Sequence, residues 1–340
     1  MNETVLVASF LEPELVDRIR STWDGEVLYE PALLPRPRYV ADHSGVKPEL
    51  DTDGQTRWRD LLGRAQITFD FDWWQPGRML HHCPKLRWVQ ATSAGIGGFV
   101  RRYGLDTGDV VFTTAAGTHA VPLTEFAVTG ALYLIKGVPE LLDRQRRHHW
   151  ERYTTRALHG RRVTVVGLGH IGRHTATTFA ALGTHVTGVT RPGGSAPDLP
   201  GVTVIDTDGL DAVLPATDVL VLATPLTSRT EHLIDRRRFD LLPDGAVVVN
   251  IARGPVIDQA ALVDVLATGR LGGAALDVTD PEPLPVDSPL WDRADVLISP
   301  HSASTLVGEN ELIVDLFVAN LAAWRDGRPL RNLYRPELGY

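Results

Sequence analysis

Apolar residues along the chain fall into short uninterrupted runs that alternate with longer segments of helical periodicity. Short apolar runs rich in β-branched residues are typical of strands that are buried on both faces of a parallel sheet. The pattern predicts strands at residues 4–8, 26–29, 65–71, 86–91, 110–113, 163–166, 185–190, 218–223, 246–251, 273–276 and 296–299. It predicts helices at 13–23, 121–149, 173–182, 259–268 and 305–325, and an irregular loop at 31–53. This alternation indicates an α/β protein with doubly wound parallel sheets.

A glycine motif stands in the middle of this alternation. Gly167, Gly169 and Gly172 follow a predicted strand with the spacing G-x-G-x-x-G. The first glycine permits a tight turn, the second lets the backbone approach a pyrophosphate, and the third lets a helix pack closely on the strand. The N–H groups at the start of that helix then point at the phosphates. With a strand before it and a helix after it, the motif predicts dinucleotide binding.

Strand–helix units occur on both sides of the motif, so the nucleotide-binding domain is expected in the middle of the chain. We expect it to occupy residues 118–303. Residues 1–117 are expected to form a second domain together with the last helix, which lies in residues 304–340. The predicted fold is therefore two doubly wound parallel-sheet domains, of which the central one is of the Rossmann type.

The strand after the motif bears on which cofactor is preferred. In dinucleotide-binding folds this strand commonly ends in an acid that binds the adenosine ribose hydroxyls. Here it ends in Thr190 and Arg191, with no acid at that place. A guanidinium can pair with a 2′-phosphate through two hydrogen bonds, although an arginine exposed on a loop is the alternative interpretation. The pattern favours NADP(H), with NAD(H) as the other possibility.

Three polar side chains follow later strands of the same domain. Arg253 comes after the strand at 246–251, Glu282 lies between two prolines, and His301 follows the strand at 296–299. Each of them alone is more often structural, but together they form a coherent set. The histidine can act as an acid or base, the carboxylate can orient it, and the arginine can hold a substrate carboxylate.

Other segments carry weaker signals. The small-residue loop at 92–98 can offer backbone N–H groups to an anion, or it is a glycine-rich turn. The basic stretch at 144–152 is interpreted as a solvated helix face rather than a phosphate contact. Residues 81–83, two histidines and a cysteine, are interpreted as a surface turn because no second cluster completes a metal site. Trp73 and Trp74 are expected to pack at a domain edge, with a place in the substrate cleft as the alternative.

Taken together, the segments resemble the D-isomer-specific 2-hydroxyacid dehydrogenase family. They keep the family's order and spacing from about residue 86 to residue 303, and they are 167–172 (GLGHIG), 224–227 (TPLT) with Thr230, 250–258 (NIARGPVID), 277–278 (DV), 282–285 (EPLP), 288–291 (SPLW) and 300–301 (PH). The pattern is most similar to the NADP-using glyoxylate/hydroxypyruvate reductase branch, which often has Ser-Arg or Thr-Arg at the position of residues 190–191. Two departures stand out: Gly97 replaces an Asp that many relatives have, and the match before residue 86 is weak.

The resemblance implies a flavodoxin-like substrate domain beside the central domain, and a homodimer that forms through the helix at 121–147. It implies that Arg253, Glu282 and His301 are catalytic, and that Ala94 and Gly95 offer backbone N–H groups to the substrate. It also implies that Asp277 holds the nicotinamide amide. The full set of expected cofactor contacts is Gly167, Gly169, His170, Ile171, Gly172, Thr190, Arg191, Thr224, Pro225, Thr230, Ile251, Ala252, Asp277 and Ala303.

Composition argues against several other classes of protein. The 34 basic and 42 acidic residues give a net charge of −8, which disfavours nucleic acid as a general partner. A single cysteine, Cys83, excludes an internal disulfide and fits a reducing compartment. The first residues do not have the pattern of a signal peptide, and no apolar run is long enough for a membrane helix. A cytoplasmic protein without membrane contact is the expectation.

We therefore expect an oxidoreductase that reduces a small 2-oxo acid, such as glyoxylate or hydroxypyruvate, to the D-2-hydroxy acid with NAD(P)H and without a metal. The alternatives within the family are phosphoglycerate, D-lactate, formate and phosphite dehydrogenases. From a different class comes a non-catalytic nucleotide-sensing protein, like the transcriptional corepressors of this fold. The sequence leaves the identity of the acid open.

Overall fold

The computed structural model describes residues 3–193 and 198–336 of the chain. The chain divides into two units, Met1–Thr118 with Thr305–Tyr340, and His119–Ser304. We call them unit 1 and unit 2. Each unit contains its own parallel sheet.

Strands and helices alternate through both units. The described residues contain the strands β1 (Val5–Val7), β2 (Val27–Leu28), β3 (Ile67–Phe69), β4 (Trp88–Gln90), β5 (Val111–Thr113), β6 (Arg162–Val166), β7 (His185–Thr190), β8 (Val202–Asp206), β9 (Val219–Leu222), β10 (Val247–Asn250), β11 (Gly273–Leu276) and β12 (Val296–Ile298). They contain the α-helices α1 (Pro13–Thr22), α2 (Thr52–Arg64), α3 (Met79–His82), α4 (Gly97–Arg102), α5 (Ala120–Ile135), α6 (Val138–Arg146), α7 (His170–Ala181), α8 (Leu210–Val213), α9 (Arg236–Leu241), α10 (Gln259–Ala267) and α11 (Glu309–Arg325).

The sheet of unit 1 has the strand order β2-β1-β3-β4-β5, and all neighbouring strands are parallel. This is the order of a flavodoxin-like doubly wound sheet. Successive residues of β1 face opposite sides, as the pleat of a strand requires. Val5 and Val7 pack in one core with α1 and α11, whereas Leu6 packs in another core with α2. Helices therefore cover both faces, and the predicted fold of this part of the chain is confirmed.

The sheet of unit 2 has the order β12-β11-β10-β9-β6-β7-β8, and its strands are all parallel. The chain runs from β6 outward to β8 and then returns to β9 on the other side of β6. This reversal defines the topological switch point, where open α/β sheets bind ligands at the carboxyl ends of their strands. Val163 and Val165 pack with α5 and α7 on one face, and Val166 packs with α9 and α10 on the other. The prediction of a Rossmann-type sheet is confirmed.

The single helix predicted at 121–149 is wrong. The structure has two helices there, α5 and α6, which are bent by 62° relative to each other. The break is at Gly137, whose backbone has a left-handed φ of 64° that a helix interior does not allow. Apolar residues continue on both sides of this glycine, so hydrophobic periodicity alone did not reveal the break.

Several other elements differ from the prediction. Helix α2, which was not predicted, begins at Thr52. Its N-terminus is capped by Asp51, whose side chain accepts a hydrogen bond from the Gly54 N–H. Strand β8 and the short helices α3 and α4 were not predicted either, and no bounds were predicted for α8 and α9. The last helix begins at Glu309 rather than at residue 305, because Gly308 before it has a left-handed φ of 88°.

The surface turn predicted at residues 81–83 is also wrong. His81 and His82 belong to helix α3, and the Cys83 that follows it is only 2% exposed. The Nδ1 atom of His82 lies 3.6 Å from Oδ2 of Asp72, whose side chain is fully buried. Burial raises the pKa of the Cys83 thiol far above its ordinary range. Cys83 belongs to the hydrophobic core of unit 1, whereas His81 is exposed.

Within the described residues, no single helix is long and apolar enough to cross a membrane. The consecutive helices α5 and α6 meet the criteria of length and composition only when they are taken together, with the bend between them. Among the same residues, no group of three or more His, Cys, Asp or Glu side chains is arranged to hold a metal ion.

Candidate active site

The glycine motif lies between β6 and α7, at the switch point of the unit 2 sheet. Gly167 has a φ of 96°, and a Cβ atom there would stand 2.7 Å from the carbonyl oxygen of Ala223. A Cβ on Gly172 would overlap the carbonyl oxygen of Gly167. In contrast, no described atom lies within 4 Å of the position that a Cβ on Gly169 would take. The first and third glycines serve close packing, and the second faces open space.

This arrangement fits the pyrophosphate of a dinucleotide. Helix α7 begins with His170 and Ile171, directly after Gly169. The first N–H groups of a helix have no acceptor within the helix, and they carry the positive end of its dipole. A phosphate that approaches the open side of Gly169 meets these N–H groups. The residues present therefore fit the phosphates of NAD(P).

Further predicted cofactor residues follow the neighbouring strands of the same sheet. Thr190 ends β7, and Arg191 follows it with an exposed side chain. Thr224 and Pro225 come after β9, in a turn that Thr230 holds by donating from Oγ1 to the Pro225 carbonyl at 2.6 Å. Ile251 and Ala252 follow β10, where both are buried. Because parallel strands end at one edge of a sheet, all these residues belong to the carboxyl edge of unit 2.

Asp277, directly after β11, ties the segment behind β12 to the sheet. Its side chain is buried, and its Oδ1 atom accepts hydrogen bonds from Ser299 Oγ at 2.7 Å and from the Ala303 N–H at 2.9 Å. Its backbone carbonyl accepts from the His301 N–H at 2.8 Å. These bonds hold His301 at a left-handed φ of 54°, which is uncommon for a residue other than glycine. Asp277 thus positions the loop that carries His301.

His301 and Glu282 form a hydrogen-bonded pair. The Nδ1 atom of His301 lies 2.9 Å from Oε2 of Glu282, and both side chains are partly exposed. The other carboxylate oxygen, Oε1, accepts from the Thr279 N–H at 3.2 Å. Burial alone raises the pKa of Glu282, but the hydrogen bond and charge of His301, the Thr279 N–H and the charge of Arg253 together outweigh burial and lower that pKa. Glu282 is therefore held as a carboxylate.

Arg253 follows β10 in a loop that Asn250 shapes. The Asn250 side chain, only 1% exposed, accepts from the Ala252 N–H at 3.0 Å and donates to the Arg253 carbonyl at 3.1 Å. The guanidinium donates to the Ala252 carbonyl at 2.7 Å. Burial lowers the pKa of Arg253, while the charges of Glu282 and Asp277 act in the opposite direction. The site thus holds a partly desolvated cation beside two acids.

The loops that carry Arg253 and Glu282 touch backbone to backbone. A Cβ atom on Gly254 would overlap the carbonyl group of Thr279 and stand 2.9 Å from the Asp280 nitrogen. Only glycine permits this approach. The structure therefore brings together all three side chains predicted as catalytic, in one unit and in the segments that follow three adjacent strands. A cation that can bind a carboxylate lies in the same site as an imidazole–carboxylate pair that can transfer a proton.

Three residues that shape this site were not assigned a role from the sequence, namely Asn250, Gly254 and Ser299. Asn250 carried a recognisable signal, because it is a polar residue at the end of a strand that is otherwise three valines. The contacts of Gly254 and Ser299 join distant parts of the chain and leave no local pattern.

The predicted substrate residues Ala94 and Gly95 belong to unit 1, in the loop between β4 and α4. The N–H group of Gly95 donates to Ser93 Oγ at 3.3 Å, a long hydrogen bond. Gly97 is the buried first residue of α4.

Comparisons with known proteins bear on what this site does. The family model described as "D-isomer specific 2-hydroxyacid dehydrogenase, NAD binding domain" matches residues 128–303. Hydroxyphenylpyruvate reductase of Plectranthus scutellarioides is 32% identical over 251 residues, which are 73% of this chain and 78% of that protein. Glyoxylate/hydroxypyruvate reductase of Arabidopsis thaliana is 29% identical over 274 residues, or 79% of this chain and 80% of that protein. A D-isomer specific 2-hydroxyacid dehydrogenase from Xanthobacter autotrophicus Py2, solved in complex with NADPH and MES, superposes with a TM-score of 0.79 at 27% identity, over 100% of this chain and 99% of the other.

The lowered pKa of Glu282 predicts how the stability of the protein depends on pH. Since the folded pKa lies below the ordinary value of 4.5, the unfolded chain binds more protons in this range, and stability rises with pH. The stabilisation is fully present above about pH 4.5 and is lost as the pH falls through the folded pKa. The free energy of unfolding in urea should therefore differ most between wild type and Glu282→Gln above about pH 4.5, and the two values should converge as the pH falls through the folded pKa. A difference that stays constant over this range would contradict the interpretation.

Proposed function

The chain belongs to the D-isomer-specific 2-hydroxyacid dehydrogenase family of NAD(P)-dependent oxidoreductases, and we propose that it reduces a small 2-oxo acid of the glyoxylate or hydroxypyruvate type to the D-2-hydroxy acid. The hydrogen bond of 2.9 Å between His301 and Glu282, with Arg253 in the same site, carries this proposal. Unit 2 is then the NAD(P)-binding domain, and unit 1 is the substrate domain.

Each of the three residues has a role that its surroundings support. Arg253 binds the substrate carboxylate and polarises the neighbouring carbonyl group, because a guanidinium matches a carboxylate with two parallel hydrogen bonds. NADPH, when bound to unit 2, would supply the hydride that the carbonyl carbon accepts. His301 gives a proton to the carbonyl oxygen from Nε2, since its Nδ1 atom is engaged by Glu282. Glu282 fixes the ring and stabilises the imidazolium. In the oxidative direction, neutral His301 takes the proton back.

The relatives support a small 2-oxo acid as the substrate. The plant relatives are named as reductases of glyoxylate/hydroxypyruvate and of hydroxyphenylpyruvate, all of which carry a carbonyl group next to an acid. Arg253 suits this shared headgroup. Ala94 and Gly95 are proposed as further contacts for the substrate, since the long hydrogen bond of the Gly95 N–H to Ser93 can be exchanged at little cost.

We further propose that the cofactor is NADP(H) in preference to NAD(H). The strand β7 ends in Thr190, whose side chain carries a hydroxyl group rather than a carboxylate, and Arg191 follows it. A carboxylate there would repel the 2′-phosphate, whereas a guanidinium attracts it. The related structure from Xanthobacter autotrophicus Py2 contains NADPH.

The surface of α6 and of the segment behind it supports a homodimer. Helix α6 has no buried residue, and its Leu141 and Leu142 are exposed. Trp150, in the extended segment that follows, is 99% exposed. Large apolar side chains in such a position mark an interaction surface, and a symmetric pairing with a second copy covers the same residues on both chains.

The proton-transfer step predicts a specific loss of turnover. With NADPH and glyoxylate or hydroxypyruvate, His301→Ala should lower kcat by about 10²- to 10⁴-fold, the usual contribution of a general acid. The Kd for NADPH, measured by fluorescence titration, should stay nearly unchanged because the ring serves the transition state. The control is His185→Ala, an exposed histidine at the first residue of β7. A wild-type protein without turnover on a panel of 2-oxo acids, or a fully active His301→Ala variant, would contradict the proposal.

The cofactor assignment predicts a change in the ratio of two rates. Charge-assisted hydrogen bonds contribute about 1.5–3 kcal/mol, which corresponds to roughly ten- to a hundredfold in affinity. Wild type should therefore prefer NADPH to NADH by at least about tenfold in kcat/KM. Arg191→Ala should remove most of this preference and leave the NADH kinetics nearly unchanged, whereas Arg162→Ala, at the opposite end of the sheet, should keep it. Equal rates of wild type with both cofactors would reject the assignment.

The dimer proposal predicts a mass of twice 37.3 kDa by light scattering at micromolar concentration. Replacing the exposed ring in Trp150→Ala should shift the equilibrium toward monomer, because large aromatic side chains dominate such interfaces. Val286→Ala, a change at another highly exposed apolar residue of the same unit, serves as the control. A wild-type mass of 37.3 kDa would exclude the dimer.

A further inference from the structure

Gln259, the first residue of α10, makes two hydrogen bonds to a single distant residue. Its Nε2 atom donates to the carbonyl oxygen of Asp280 at 2.6 Å, and its Oε1 atom accepts from the N–H group of Asp280 at 2.9 Å. Both ends of the carboxamide are thus used, and both backbone groups of Asp280 are bonded. A carboxamide offers a donor and an acceptor side by side at neutral pH, whereas an ionised carboxylate offers acceptors alone.

Helix α10 does not need these two bonds. Its N-terminus is capped by Asp258, whose Oδ1 atom accepts from the Ala261 N–H at 3.1 Å. Both bonds of Gln259 instead leave the helix and reach a residue 21 positions further along the chain. Their effect therefore falls on the loop after β11.

That loop carries Glu282, and few of its backbone N–H groups are available for hydrogen bonds that would hold it in place. Pro281 and Pro283 flank Glu282 and have no N–H group. The Thr279 N–H is taken by the Glu282 carboxylate, and the Thr279 hydroxyl donates to the Pro281 carbonyl at 3.0 Å. A bond to the Asp280 backbone from outside the loop is therefore an effective way to fix its path.

Two neighbouring residues of the loop are fixed by two different means. Thr279 is held by the close approach of Gly254, and Asp280 is held by the carboxamide of Gln259. Both Gly254 and Gln259 belong to the stretch from the end of β10 to the first residue of α10, which also carries Arg253. Glu282 lies two residues beyond Asp280, and its Oε2 atom is hydrogen-bonded to Nδ1 of His301.

From this geometry we infer that Gln259 is a positioning residue for the proton transfer, because it fixes the loop on which Glu282 meets the His301 ring. The inference rests on the proposed function and goes beyond it by adding a residue that touches neither substrate nor cofactor. Gln259 acts through Glu282 alone, and this property makes the inference testable.

Two variants remove the interaction in steps. Gln259→Leu has a similar volume and removes both hydrogen bonds, whereas Gln259→Glu keeps an acceptor for the Asp280 N–H and, as a carboxylate, has no donor for its carbonyl. With glyoxylate and NADPH, kcat should fall about tenfold or more in Gln259→Leu, as small displacements of catalytic groups do, and by less in Gln259→Glu. The Kd for NADPH should stay at the wild-type value in both variants.

A double-mutant cycle with Glu282→Gln separates positioning from a general structural effect. If Gln259 acts through Glu282, then Gln259→Leu should cause no further loss of kcat in the Glu282→Gln background, since coupled residues are not additive. Losses that multiply in the double variant would overturn the inference. Gln55→Leu is the matched control, because Gln55 also bonds a backbone carbonyl, that of Leu50 at 2.9 Å, from the first turn of a helix in unit 1. It should leave kcat unchanged.

The outcomes distinguish this inference from the proposed function. If Glu282→Gln is as active as wild type, the proposed function fails and the inference fails with it. If Glu282→Gln is impaired but Gln259→Leu keeps the wild-type kcat, only the inference fails. Thermal unfolding shows whether each variant is folded, and the cycle is run with Gln259→Glu if Gln259→Leu does not fold.

Discussion

The close approach of two backbone segments at Gly254 and Thr279 is the constraint on which the candidate site depends. Strands β10 and β11 are neighbours, with Asn250 opposite Leu276, so their loops leave the sheet side by side about 4.8 Å apart. A side chain at position 254 would force them apart, because its Cβ would overlap the Thr279 carbonyl. Without that approach the carboxylate of Glu282 would lie farther from both Arg253 and His301. The position of Glu282 in the site thus depends on the absence of a side chain at position 254.

Electrostatics follow from the same packing. Arg253 loses part of its hydration in this site, and the charges of Glu282 and Asp277 compensate for that loss. A partly buried cation that keeps no acidic neighbour is strongly destabilising, whereas a paired one is tolerated. The Oδ1 atom of Asp277 is already engaged by Ser299 and Ala303. Within the described residues, the Arg253 guanidinium donates one hydrogen bond, to the Ala252 carbonyl, so it keeps hydrogen-bonding capacity for an anionic ligand while its charge is balanced.

Residues whose role can be recognised from their own stretch of sequence could be predicted. Residues that act through contacts with distant parts of the chain could not. Arg253, Glu282 and His301 each follow a predicted strand, and parallel strands end at one edge, so their convergence followed from the order of the elements. Gln259 and Asp280 are 21 residues apart, and the side chain of Gln259 bonds the backbone of Asp280. Such a contact leaves no periodic pattern in the sequence. Their contact became visible only when the loops had been placed in space.

The errors in the fold prediction have similar causes. The break between α5 and α6 depends on the left-handed backbone of Gly137, whereas the apolar pattern continues through Leu141 and Leu142. Helix α2 buries Trp58, Leu61 and Leu62 but is otherwise polar, so its signal is weak compared with that of the sheet strands. Strand β8 is an edge strand without a fully buried residue, and it lacks the continuous apolar run that revealed its neighbours.

Cofactor choice and proton transfer are expected to be set by residues that act independently of each other. In the sheet order, β9 and β6 lie between β10 and β7, so the ends of β7 and β10 are about 14 Å apart at 4.8 Å per strand. The ends of β11 and β12 lie farther still. Effects of substitutions usually add when sites are more than about 7–10 Å apart and share no partner. Substitutions of Thr190 and Arg191 are therefore expected to leave Arg253, Glu282 and His301 undisturbed, because the width of the sheet separates the proposed contact with a 2′-phosphate from the proposed proton transfer.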